Sequence, residues 1–184
     1  FPYDVLWVLS ALAWWNWVLP DVEVMKTLAW GWILKLFVVN LVAVFVFFGV
    51  YEWRLYIKRS QGTRFKYNAK FPSEHPSDAF WFKSQNTDSI LRIIFHAMPI
   101  WTALEVGILY AYANGLVPWL SFADHPWYLL GLALVMPIIH ETHFYLIHRL
   151  IHIPFLYKHV HSVHHNSVNP SPYSSLSMHP VELL

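Results

Sequence analysis

Nine of the twelve histidines lie between His140 and His179, in the stretch HETHFYLIHRLIHIPFLYKHVHSVHHNSVNPSPYSSLSMHPVE. His148 and His152 are four residues apart, and on a helix that offset leaves two imidazoles about 40° apart around the axis, so both can converge on one ion. His161, His164 and His165 repeat the arrangement with offsets of three and four, which return to the same helix face. Five imidazoles on adjacent short helices would make a costly and poorly packing structural surface, because each ring carries polar nitrogens that burial would leave to be satisfied. The pattern predicts a metal centre. There are no cysteines, so thiolate zinc sites and iron-sulfur clusters are excluded within these residues and any metal takes nitrogen or oxygen ligands. All-imidazole sites suit zinc, iron, copper or nickel, and spacing alone does not choose among them.

Other polar residues carry weaker signals. His140 and His143 stand one to two turns before the first pair, as groups behind the ligands, as tunnel-lining residues or as hydrogen-bonding groups within the bundle. Glu141 has the chemistry to orient a ligand imidazole through its distal nitrogen, or to pair with Arg149 or His148. His159 falls on the helix face opposite His161. His96 and Glu105 read as interhelical hydrogen-bonding groups, and His75 and His125 sit beside prolines in loops.

The elements that must position these ligands are membrane helices. Of 184 residues 57% are hydrophobic and 12% charged, with 11 Trp, 10 Tyr and 13 Phe, which is too apolar for an ordinary soluble domain. A spanning helix needs about 20 apolar residues. Four segments approach that: Val5 to Leu19, ended by Pro20; Leu28 to Tyr51, polar only at Lys35 and Asn40; Ile90 to Tyr112; and a fourth from near Trp127 through Pro137 into the first histidines. Both Lys35 and Asn40 need a partner or a snorkelling route. Pro154 suits the first turn of a new helix, so Phe155 to His165 is expected to fold back onto His148 and His152. The fold expected is an all-α integral membrane bundle of about four transmembrane helices followed by a histidine-bearing helical region. Residues 1–139 form the helices, with a basic loop over 52–89, and 140–184 form the metal region, all in one domain. Arg54, Lys58, Arg59, Arg64, Lys66, Lys70 and Lys83 make that loop strongly basic, whereas the turn from Ala113 to Pro126 carries only Asp124. The positive-inside rule then puts the loop, and the histidines two crossings later, on the cytoplasmic face.

The run HRLIH, followed by PFLYKHVHSVHH and by MHPVE, resembles the fatty acid hydroxylase and sterol desaturase superfamily of membrane di-iron oxygenases, over about Ile139 to Glu182. Within it, FLYKHVHSVHH and the later HPVE most resemble the sterol C5-desaturase branch. The resemblance implies that His148 and His152 match a first histidine box, that His161, His164 and His165 match a second, and that His179 matches the histidine of an HPxE segment. It also implies two irons and O2, electrons from a cytochrome b5-like or ferredoxin-like donor, and a sterol or fatty-acyl lipid as substrate. A nucleic-acid partner is not expected. The family's further downstream histidine group lies beyond Leu184, and the chain starts without Met, so it reads as a fragment truncated at its C-terminal end. Two other classes remain: a zinc or nickel transporter or sensor, for which the spans carry few polar residues, and a membrane zinc hydrolase, for which HETHF brings the second histidine one residue early.

Overall fold

Apolar length decides the architecture. The computed structural model describes residues 2–118 and 120–184, without the side chains of Pro2, Tyr3, Asp4 and Trp7; Phe1, at which the chain starts, and Trp119, in the turn expected to be acidic, lie outside the described residues. Among the described residues there is no strand, in line with the all-α expectation. Helix α1 (Pro2–Ala13) runs on as a wide π-helical turn over Trp14–Val18, and α2 (Val22–Met25) is a single turn. The first long helix, α3 (Trp30–Tyr51), continues through a second π-helical turn at Glu52–Ile57. Helix α4 (Gln85–Arg92) passes through a third at Ile93–Ala97 into α5 (Met98–Ala113). Helix α6 (Pro126–Ile151) begins on Pro126, whose missing N–H costs nothing there, and passes through Pro137.

Three stretches, Trp30–Ile57, Gln85–Ala113 and Pro126–Ile151, are long and apolar enough to cross a membrane, and the protein is an integral membrane protein. The expected first span is not among them. Its helical residues end at Val18, because Pro20 disfavours helical backbone at Leu19, which is extended at ψ 138°. The helix carrying the expected third span starts earlier than its apolar residues, at Gln85, where the Ser84 hydroxyl accepts the Thr87 N–H at 3.4 Å. Its polar first turn is tied down by a buried Asp88–Arg92 ion pair of 2.8 Å, with Arg92 lying 4.1 Å over the Trp81 ring. The basic loop is correspondingly shorter than 52–89, since both of its ends are helical.

Helices α3 and α5 pack through Trp32, Leu36 and Val106, with Trp14, Val18 and Leu109 around them. The polar groups of this layer satisfy one another. Asn40 donates to Glu105 at 2.7 Å and to Thr102 at 3.2 Å, the Trp14 indole N–H donates to Glu105 at 3.4 Å, and Lys35 reaches the Val18 carbonyl at 3.1 Å. A second cluster, Ile93, Ala97 and Met98, packs against Phe37 and Phe45 on one side and against Tyr173, Leu176 and Leu183 on the other. Burying a side chain such as Ile93 is worth about 1.5–3 kcal/mol. This cluster therefore anchors the C-terminal segment, 166–184, against the helices. Gly49 adds a close approach, because a Cβ there would lie 3.1 Å from the Tyr173 hydroxyl.

The loop between α3 and α4 is hydrogen-bonded to the same segment: Asn68 donates to the Val168 carbonyl at 2.9 Å, Tyr56 to that of Pro170 at 2.9 Å, and Gln85 to that of Asn169 at 3.0 Å. Basic loop and histidine region thus share one end of the molecule. Helix α6 has no buried residue, and its contact with the rest is concentrated at the turn Tyr157–His161.

Candidate metal centre

The site is made by a chain reversal. Helix α6 ends at Ile151; Pro154 then imposes extended backbone on Ile153 (φ −62°, ψ 144°) and starts α7 (Pro154–Leu156). A π-helical turn over Tyr157–His161 leads into α8 (Ser162–His165). The reversal carries His161 back over the end of α6, with ring centroids 4.7 Å from His148 and 4.6 Å from His152. His148, His152, His161 and His165 each offer a nitrogen, all within 4.8 Å of one another.

The spacing can be tested against a bound ion. With metal–nitrogen bonds of about 2.0–2.1 Å, two nitrogens on one ion lie about 2.9 Å apart at right angles and about 3.4 Å apart in a tetrahedron. The Nε2 atoms of His148 and His152 are 3.2 Å apart, and those of His161 and His165 are 2.9 Å apart. Both pairs fall inside that range, and with all four nitrogens within 4.8 Å of one another the cluster could hold an imidazole-bound transition metal.

The surroundings favour the neutral rings that a metal requires. Burial first, and then the neighbouring imidazoles of His148, His152 and His164, hold His161 down to about 4. Burial and the rings of His161, His152 and His148 also push His165 down. His161 is fully enclosed, and its Nδ1 lies 2.7 Å from Oε1 of Glu182, a side chain only 7% exposed. Burial pushes the Glu182 carboxyl up, against the opposing pull of His164 and His148. Aromatic rings flank two of the imidazoles: Phe144 stacks on His148 at 5.4 Å, and Tyr157 stacks on His152 at 5.7 Å.

The remaining histidines stand apart from this group. His164 stacks at 5.8 Å beside His161, and its Nδ1 is buried without a hydrogen-bond partner. Burial, the largest influence on it, lowers its pKa. The Nδ1 of His179 accepts the Val181 N–H at 3.2 Å and so caps the short turn Pro180–Leu183. His140 and Glu141 face each other at 3.3 Å and are 70% and 76% exposed, and His143 is exposed on the same helix. Glu141 therefore pairs with His140 and not with Arg149, which donates to the Tyr145 hydroxyl at 3.1 Å. His159 is exposed beside Phe155, as its helix face implied.

Sequence reading passed over Glu182. The signal was available in MHPVE, where Pro180 between His179 and Glu182 starts the tight turn that aims the carboxylate inward. Glu182 also lines a groove of about 570 Å³ that runs along α5 past Ala97, Trp101, Leu104 and Ile108 to Glu105.

The histidine-bearing stretch is similar to known proteins. Residues 133–184, which hold all four clustered histidines, match the fatty acid hydroxylase family. A probable Delta(7)-sterol 5(6)-desaturase from Neurospora crassa is 29% identical over 116 residues, covering 59% of this chain and 31% of that protein. A putative Delta(7)-sterol-C5(6)-desaturase 2 from Arabidopsis thaliana is 36% identical over 99 residues, 50% of this chain and 35% of the relative. Sphinganine C4-monooxygenase 2 from the same plant is 42% identical over 50 residues, 27% of this chain and 19% of the relative. The chain thus spans about a third, or less, of the curated relatives it matches. No solved structure matches it.

Proposed function

We propose that this chain, which is similar to the fatty acid hydroxylase and sterol desaturase superfamily and most of all to its sterol desaturase-like branch, is the metal-bearing part of an iron- and O2-dependent oxidoreductase acting on lipid C–H bonds. The observation that carries the reading is the four-imidazole group, whose Nε2 pairs at 2.9 and 3.2 Å fit one ion and lie within the matched stretch.

His148, His152, His161 and His165 would hold the metal, and what iron supplies when bound is oxidation of an unactivated C–H bond with O2. These four provide for one ion. A second iron takes ligands beyond them, and His164, with its unpartnered Nδ1, is a candidate, as is His179 if its cap contact is released. The chain's own contribution is placement: the fold-back at Pro154 sets the ligands, Phe144 and Tyr157 stack on the His148 and His152 rings, and Glu182 holds His161. A lipid reaches the site along the groove on α5, whose outward side chains Trp101, Leu104 and Ile108 are exposed on a helix that can cross a membrane. The basic loop shares the histidine end, which under the positive-inside rule supports a centre on the cytoplasmic face, within reach of a cytochrome b5-like or ferredoxin-like donor.

Asn40, Thr102 and Glu105 bond to one another across the spans and so favour a structural clamp over a transport path. His140 and His143 are three residues apart and both exposed, so HETHF does not supply the ligand pair of a hydrolase of the HExxH kind.

The test is lipid analysis by mass spectrometry in cells with and without the protein, alongside His161→Ala. Loss of two hydrogens or gain of one oxygen in a membrane lipid, absent in the variant, is expected. Identical lipid profiles for the protein and the variant would overturn the assignment.

A further inference from the structure

We propose that Glu182 is the positioning residue of the metal centre: it accepts a hydrogen bond from Nδ1–H of His161 and thereby holds that ring with its Nε2 free toward the other three imidazoles. The inference rests on the reading of the four histidines as metal ligands.

Three observations carry it. The contact is short and enclosed, 2.7 Å between side chains that are 0% and 7% exposed, so water does not compete for either partner. A neutral imidazole carries one N–H, and a carboxylate oxygen at Nδ1 selects the tautomer whose Nε2 lone pair is free. That Nε2 is the atom lying 2.9 Å from Nε2 of His165, on the side where the ligand nitrogens converge. Of the four ligand rings, His161 is the most deeply buried, and its Nδ1 contact comes from a residue 21 positions away, outside the helices that carry the ligands.

The carboxylate is itself held in place. Leu183 packs on Ile93, Ala97 and Met98, and the Pro180–Leu183 turn is capped by His179, so Glu182 is fixed by the apolar core on one side and a backbone bond on the other. His179 thereby acquires a structural role, since its cap aims the Glu182 side chain. The second carboxylate oxygen, Oε2, is buried without a partner, and the residue lines the α5 groove. Glu182 is thus, among the described residues, the side chain that joins the candidate metal centre to the groove.

Glu182→Gln keeps the volume and one acceptor oxygen but loses the charge, and Glu182→Leu keeps only volume. Metal affinity is read by Co(II) titration of the full chain in detergent, and the His161 tautomer by nitrogen-15 NMR of the metal-free protein with labelled histidine. Positioning predicts that Co(II) affinity falls in the order wild type, Gln, Leu, by about 10-fold to 100-fold across the series. It also predicts that the Nδ1–H tautomer of His161, dominant in the wild type, is lost in the Leu variant while circular dichroism stays unchanged. Equal affinity and the same tautomer in all three proteins would reduce Glu182 to packing and overturn the proposal. A wild type that takes up no Co(II) would defeat the metal reading instead, and the tautomer comparison would still decide whether Glu182 orients His161.

Discussion

Acid should weaken metal binding by this chain less than it weakens binding to four ordinary histidines. Each ligand must be neutral to bind, so each imidazole that takes up a proton subtracts from the apparent affinity. For a histidine titrating at about 6.5, lowering the pH from 7 to 5.5 costs about 0.9 in log K, and four such rings cost nearly four decades. His161 is held near 4 by burial and by its neighbours, and it stays neutral over that whole interval. The sign follows from the depression: the folded protein binds fewer protons than the unfolded chain between about 4 and 6.5, so the proton's cost at this ring appears only as the pH falls through about 4. The expected fall is therefore smaller than that of four ordinary histidines by about 0.9 in log K on account of His161, and the downward shift of His165 makes it smaller still. The assay is Co(II) titration against a competing chelator at pH 7 and 5.5, followed by visible absorption. A fall of four decades would place a proton on His161 at pH 5.5 and refute the argument from its burial.

Other expectations concern the scaffold. Asn40→Leu removes the 2.7 Å partner of Glu105 and is expected to destabilise the protein by about 1–3 kcal/mol, read by denaturation in mixed detergent micelles, with much of the loss recovered when Glu105→Leu is added. Additive effects of the two substitutions would deny the coupling. Ile93→Ala, at a fully buried position, should cost about 2–5 kcal/mol and should also lower Co(II) affinity in the folded fraction, because the cluster it opens holds Leu183 beside Glu182. An unchanged affinity would separate the core from the site. His140→Ala and His143→Ala, on the exposed part of α6, should leave metal content unchanged, and loss of metal in either would redraw the ligand set.

Much of this cluster was legible in the chain because its histidines obey helical spacing. His148 and His152 meet across one turn, and Pro154 announced the reversal that brings His161 and His165 to them. His164 was harder. Offsets of three and four look equivalent on paper, yet its ring stacks beside His161 at 5.8 Å with Nδ1 turned into a buried, unpartnered position. Span number depended on a proline: the apolar run Val5 to Leu19 has the composition of a membrane helix, and Pro20 cuts its length. The polar first turn at Gln85 hid the start of α4 from any apolar criterion, although Ser84 carried the cap signal. For Glu182 the MHPVE turn was legible but its partner was not, because His161 is 21 residues away and the contact exists only once the core has closed on Leu183.

The central claim is that four histidines bind iron. Metal content by mass spectrometry on protein extracted from membranes of iron-replete, oxygen-limited cells tests it most directly, with His148→Ala and His161→Ala prepared in parallel. At least one iron per chain in the wild type, lost from both variants while each still folds, is the expected result. Stoichiometric zinc with no iron, or iron retained by both variants, would contradict the account.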